Sequence, residues 1–529
     1  MSSFVDAAQL RGMLDDGQEL ALIDVREEGV FTKRHLLLAS CIPLSRLELL
    51  IDQLVPRRRA RIILCDADGS LAPRAAMRLA ELGYTHVAIL RDGIEGWAAR
   101  GYALFSGINV PSKAFGEFVE TTYGTSHISA DELKRLKDAG EDIVILDSRP
   151  FEEYRIGSIP GAINVPGVEL AYRIREIARS PNTLVVVNCA GRTRSIIGAQ
   201  SLINSGLPNP VKALKNGTMG WNLAGFELER NQSRRAPDIS GDTLEEAQRS
   251  AAAVAERFDV PNIDNNTLDA WRKEKDDRTL YIFDVRSPEE FEQSHLPDSI
   301  SAPGGQLVQA TDKYAATRGA RLVLVDDTGV RATMAASWLI QMGWTDVSTL
   351  KLGLEGRQTV SGPARRLVLG MERTNCEKIA VEALDAALRN GEAEVIDLDL
   401  SRNYRRGHIP GAWFAIRARL SQSLTKLPAA GFVVLTSGDG VIAALAAEEA
   451  TIVLKRPVKV LDGGTRAWSR AGLPLETGFE RMLDPPEDVQ WIPYDDTERK
   501  EENMLAYLAW ETNLVSQIQQ SGELNFLKY

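Results

Sequence analysis

The stretch VVVNCAGRTRS at residues 185–195 places a cysteine between an apolar run and a helix-forming segment, with two arginines in the next five positions. A free thiol titrates at about 8.5, whereas the thiolate is the nucleophile. In a strand-to-helix loop, successive backbone N–H groups can curl into an anion-binding nest capped by the positive end of the helix. Gly191 permits the tight backbone, and Arg192 and Arg194 add two positive charges that should favour the Cys189 thiolate and draw in an anionic reagent. A cysteine at a strand end is most often an inert small hydrophobe, but this loop reverses that reading. The expected chemistry is covalent nucleophilic catalysis by Cys189, with Ala190, Gly191, Arg192, Thr193, Arg194 and Ser195 contacting the substrate.

The elements that must position this loop recur. An apolar run ending in Asp appears four times, as ALIDVR, VILDSR, YIFDVR and VIDLDL, with anchors Asp24, Asp147, Asp284 and Asp397. Eleven residues beyond each anchor stand His35, Ser158, His295 and His408, which read as parts of an interior turn. A second apolar run ends 41, 42, 42 and 40 residues after the anchor, at Cys65, Cys189, Asp326 and about Ser437. Each is followed by a Gly- or Ser-containing loop, an Ala-rich helical stretch and a short strand. A glycine then leads to an aromatic or Arg position: Gly93 to Trp97, Gly217 to Trp221, Gly353 to Arg357 and Gly464 to Trp468. Trp221 reads as core.

Strands alternating with helices predict an α/β fold with a mainly parallel sheet flanked by helices, and ligand loops at the C-terminal strand ends. The chain divides into four tandem modules at 1–105, 125–232, 262–362 and 372–480, followed by a helical tail at 481–529. Asp242 with Glu245 suggests a capping box opening a helix that runs through about Arg257 and joins a front pair of modules to a back pair. In the tail, Met504, Tyr507, Trp510, Leu514 and Ile518 share a helical face too apolar to stay solvated. Docking on the body is favoured over a homodimer contact.

A strand ending in D-x-R, a downstream G-[HS]-I-P-G-A and a strand running into Cys and a short loop together resemble the rhodanese superfamily. The match is most specific in DSRPFEEYRIGSIPGAINVP at 147–166 and VVVNCAGRTRS at 185–195. The resemblance implies a sulfurtransferase that takes a sulfane sulfur from a small anionic donor such as thiosulfate onto Cys189 as a persulfide. The sulfur then passes to a thiol, cyanide or protein acceptor, with no metal or organic cofactor. Related phosphatases and arsenate reductases use C-x5-R; here Ser195 stands at that arginine's position and the nearest arginine, Arg194, gives C-x4-R. The shorter loop suits one added sulfur better than a phosphoryl group. Arg149 either lines the pocket or pairs with a neighbouring acid, and Asp147 either fixes the loop between modules or supports catalysis.

In the first copy Cys65 is followed by DADGSLA, where Asp66 and Asp68 disfavour a thiolate. The third and fourth copies lack a sulfur nucleophile, and Cys41 and Cys376 fall outside the loops. Three silent copies leave open a different class of function, a non-catalytic scaffold or sulfur-relay protein. With 529 residues, 44% hydrophobic and 26% charged, the composition is that of a globular protein, and no apolar run is long enough to span a bilayer. The net charge of −11 argues against general nucleic-acid binding. An N-terminus without a basic start or apolar stretch, MSSFVDAAQLRGMLDD, suggests a cytoplasmic location.

Overall fold

Each Asp-terminated apolar run forms the second strand of a five-stranded parallel unit, and each run entering the loop forms the fourth. The computed structural model describes residues 3–364, 367–427, 431–495 and 499–529. In every unit the strands, numbered by their order in that unit, lie in the sequence 1-5-4-2-3. In the second module these are His127–Ile128, Val211–Leu214, Leu184–Asn188, Ile143–Asp147 and Ile163–Asn164. Helices cover both faces, which is why runs such as LVVVN are apolar at nearly every position rather than at alternate ones. One pairing crosses modules: Thr317–Arg318 of the third runs antiparallel to Leu20–Ala21 of the first.

The modules associate as second with third and first with fourth. A continuous core joins Val187, Ile197 and Leu202 to Phe283, Trp338 and Leu339; another joins Leu47, Leu54 and Leu79 to Tyr404, Phe414 and Trp468. Each contact also holds a buried ion pair, Arg331 with Glu169 at 2.7 Å in one and Arg417 with Glu48 at 2.8 Å in the other. Between the second and third modules the backbones meet so closely that a Cβ on Gly167 would lie 2.3 Å from Gly305 Cα.

The helix after the second module therefore does not connect a front pair to a back pair. It spans Gly241–Arg257 and packs on Glu169–Ile177 and Val330–Gln341 through the small face of Ala247, Ala251 and Val254, inside the pair formed by the second and third modules. Its capping box is made by Ser240 and Thr243, not by Asp242 and Glu245, because Ser240 is the last residue with extended backbone.

Two helices outside the repeats matter for the loop. The segment between the first two modules folds as the 14-residue linker helix Val110–Tyr123. The tail helix, Lys500–Ser521, packs against it. The tail's buried face is Met504, Leu508, Glu511, Leu514 and Ile518, so Tyr507 and Trp510 are half-buried and an acid takes a place expected to be apolar.

Candidate active site

Cys189 is the first residue after the strand Leu184–Asn188, and the helix Thr193–Asn204 begins four residues later. The loop is fixed from behind: Thr218 N–H donates to Cys189 O at 2.8 Å and Met219 N–H to Ala190 O at 3.0 Å. Gly217 (φ +55°) approaches so closely that a Cβ there would sit 2.3 Å from Cys189 O. Gly93, Gly353 and Gly464 make the same approach to Asp66, Asp326 and Ser437, which explains the recurring glycine.

These contacts and the sheet register correct the alignment of the copies. The anchors Asp24, Asp147 and Asp397 lie opposite Cys65, Asn188 and Thr436, and Asp284 lies opposite Val325. Cys65 is thus the last residue of its strand, equivalent to Asn188, and the residue matching Cys189 in the first module is Asp66. Cys65 is fully buried in an apolar cluster. Burial, with the Asp24 carboxylate nearby, pushes its thiol well above the ordinary range.

The silent modules reveal what the loop does. The Asp66 carboxylate accepts the N–H groups of Gly69, Leu71 and Ala72, each at 2.8 Å. Asp326 accepts those of Gly329 at 2.7 Å and Arg331 at 3.0 Å. Counted from the same starting residue, the corresponding amides of the second module belong to Arg192, Arg194 and Ser195. In the second module Cys189 stands at the sequence position of that carboxylate; its Sγ donates to Ser195 Oγ at 3.6 Å, and Ser195 Oγ donates to Arg192 O at 2.7 Å.

The loop's side chains are drawn elsewhere. Arg192 forms a fork with Glu117 (2.6 and 2.8 Å) and also binds Glu120, both on the linker helix. Burial pushes the Glu117 carboxyl up, although Arg192 pulls the other way. Arg194 is paired bidentately with Glu153 at 2.8 Å and reaches Gln306 at 3.3 Å. Burial alone would raise Glu153, but the Arg194 guanidinium beside it holds it below the usual carboxylate range. The third module keeps this pair as Arg331–Glu290 without a thiol, so the pair is part of the module's architecture.

Arg149 is buried against Asp147, with Nε to Oδ1 at 2.9 Å and Nη2 to Oδ2 at 2.6 Å, and it also donates to Gly157 O. Asn188 completes the carboxylate's bonds at 3.1 Å. Arg26–Asp24 and Arg286–Asp284 repeat the arrangement in modules with no thiol in the loop. Of the two alternatives for Arg149, the structure places it in the acid pair and not at the sulfur. Ser158 and the three histidines tie each module to its exit segment, bridging Glu229, Phe105, Val360 and Glu476. Trp221 is core, its Nε1 donating to Glu227 O.

What the sequence did not single out comes from far away in the chain. Thr193 Oγ1 donates to Glu511 Oε1 at 2.7 Å; Tyr507 and Leu508 lie over Gly191; Lys113 binds the Tyr507 hydroxyl; and Tyr494 meets Thr218 at 3.2 Å. Burial pushes Tyr507 up to about 12. These groups leave Cys189 only 2% exposed. Tyr507 also borders two clefts of about 440 and 500 Å³ that share Trp491 and Gln490. The only available signal was the tail's apolar spacing, which marked a docking face without indicating where it docks.

A parallel α/β unit with a Cys loop over a glycine turn defines the class, and comparison with known proteins places the chain within it. The rhodanese-like domain matches residues 6–100, 129–224, 265–358 and 380–471. The chain belongs to the rhodanese-like family, with four tandem domains. It is similar to the crystal structure of a thiosulfate sulfurtransferase from Pseudomonas aeruginosa, with 48% identity, 99% of each chain covered and a TM-score of 0.96. Among curated relatives, it is 37% identical over 102 residues to an HTH-type transcriptional regulator of Mycobacterium tuberculosis, covering 19% of this chain and 44% of that one. It is 27% identical over 122 residues to an adenylyltransferase and sulfurtransferase of Meyerozyma guilliermondii, covering 21% and 28%. The chain thus spans less than half the length of either. Among the described residues no helix is long and apolar enough to cross a membrane.

Proposed function

We propose that the protein transfers a sulfane sulfur from an anionic donor, such as thiosulfate, through a persulfide on Cys189 to a thiophilic acceptor. That acceptor is a thiol, cyanide or a protein sulfur. The observation that carries this reading is the loop equivalence: Cys189 stands at the position where Asp66 and Asp326 accept the loop amides in the first and third modules. Such a cradle of amides stabilises the thiolate before transfer and the terminal persulfide sulfur after it. Arg192 and Arg194 serve through their backbone N–H groups. Their side chains fix the loop against the linker helix and Glu153. Four free cysteines suit a reducing compartment, and we place the activity in the cytoplasm.

Cys189 attacks the outer sulfur of the donor, expelling sulfite or a thiolate, and the acceptor then attacks the same sulfur and regenerates Cys189. The test is twofold. Incubation with donor should add one sulfur to Cys189 by mass spectrometry, and thiosulfate with cyanide should give thiocyanate at a rate that disappears in Cys189→Ser. Failure of every donor to add sulfur to Cys189 would leave the scaffold or sulfur-relay reading, which the filled cradles of the first and third modules favour for those modules alone.

A further inference from the structure

The surroundings of the Cys189 loop hold more negative than positive charge, and one buried carboxylate oxygen there is unsatisfied. Lys113, Arg192 and Arg194 supply three permanent cations, and the carboxylates paired with them are Glu117, Glu120, Glu153 and Glu511. Glu511 is 1% exposed. Its Oε1 accepts from Thr193 and lies 3.5 Å from Lys113 Nζ, whereas Oε2 has no hydrogen-bond partner among the described residues. That oxygen sits directly over the loop, 3.1 Å from where a Cβ on Gly191 would be.

An unpartnered buried carboxylate oxygen is costly and calls for a donor. A free dianion would bring two more negative charges into a site whose cations are already neutralised. A ligand with a neutral persulfide at its reacting end and an ammonium at its other end meets both conditions, because it adds no negative charge and its N–H groups go to Glu511. Resting on the Cys189 sulfurtransferase reading, we propose that the preferred donor is a short organic persulfide carrying an ammonium group, with Glu511 as the residue that selects it. The Cys189 thiolate attacks the outer sulfur of R–S–S–H. The bond from Sγ to that sulfur forms as the donor S–S bond breaks, and its electron pair leaves on the inner sulfur. The inner sulfur takes the persulfide proton and departs as R–S–H, so no oxidant or reductant is consumed.

The experiment measures single-turnover persulfidation of Cys189 in the full chain by intact-protein mass spectrometry. The donors are cysteamine persulfide, 3-mercaptopropionate persulfide, which has a carboxylate in place of the ammonium, and thiosulfate. The wild type should use the ammonium donor faster than either anion by about tenfold or more, and Glu511→Gln should bring the ratio of the two persulfides close to one. The double variant Glu117→Gln/Glu120→Gln, which frees Arg192, should speed thiosulfate relative to the ammonium donor. Should Glu511→Gln not fold, inhibition of the wild type by cysteamine but not by 3-mercaptopropionate decides the same point. Equal or faster use of the carboxylate persulfide by the wild type, or a ratio unchanged in folded Glu511→Gln, overturns the donor assignment while leaving the sulfurtransferase reading intact. No sulfur on Cys189 with any donor overturns that reading itself.

Discussion

The first and second modules carry the same loop over the same glycine turn, yet one holds a carboxylate and the other a thiol. In the first, Asp66 satisfies three loop amides with a side chain that cannot leave. In the second, Cys189 puts a polarisable nucleophile at the equivalent loop position. The comparison teaches that the fold supplies a general anion cradle, and that the residue at its centre decides whether the module is inert or reactive. It also separates architecture from chemistry. The Asp–Arg pair at the second strand occurs in three modules, and the Arg–Glu pair beside the loop in two, whether or not a thiol is present.

The largest expected effect breaks the comparison at its centre. Cys189→Ser should lower sulfur transfer by about a thousandfold or more, whereas Cys65→Ser should leave most of it, since Cys65 is a strand residue whose thiol burial holds protonated. Comparable losses in steady-state assays of both variants would refute the single-site arrangement. Cys189→Asp should be equally inactive yet keep its fold, with the new carboxylate taking the amides as Asp66 does; a crystal structure showing the side chain outside the cradle would count against the equivalence.

Next in size is the loop's own support. Arg192→Ala leaves the buried Glu117 without its partner and should cost about 3 kcal/mol in denaturant unfolding, more than the loss of an exposed anion-binding charge would. A variant as stable as the wild type would show that Arg192 is free to bind donor. Selectivity sharpens the same point: with Ser195 buried where phosphatases carry an arginine, turnover of an aryl phosphate should be negligible beside sulfur transfer. A Cys189-dependent phosphatase rate exceeding transfer from every donor would overturn the assignment.

The smallest effect lies in the fourth module, where Asp399 replaces the arginine that pairs with the anchor elsewhere. Burial then pushes Asp397 up to about 7. The native state keeps a proton that the unfolded chain releases near the ordinary value of 3.8, so this group's contribution falls as pH rises from about 4 to about 7. Asp397→Asn removes that loss. The variant should match the wild type near pH 4 and exceed it by a few kcal/mol at pH 8 in chemical denaturation. A constant difference across that range would exclude titration of Asp397.

The four modules and their mainly parallel sheets were legible because they depend on local pattern. Runs such as LVVVN can be buried on both faces only in a covered parallel sheet, and a cysteine before Gly-Arg-Thr-Arg at a helix start has few inert explanations. Matching Cys65 to Cys189 by residue type set the first copy one position short, since the 42-residue step from anchor to Cys189 and Asp326 falls on Asp66 in the first module, as the hydrogen-bond register shows. Tertiary structure alone decided where the loop's charges go. Glu117 and Glu120 lie 75 and 72 residues from Arg192, and Glu511 lies 318 residues from Thr193. A cation buried at an interface pairs with whichever carboxylate packing brings within reach, and that choice was made by the docking of the linker and tail helices, not by the sequence around Cys189.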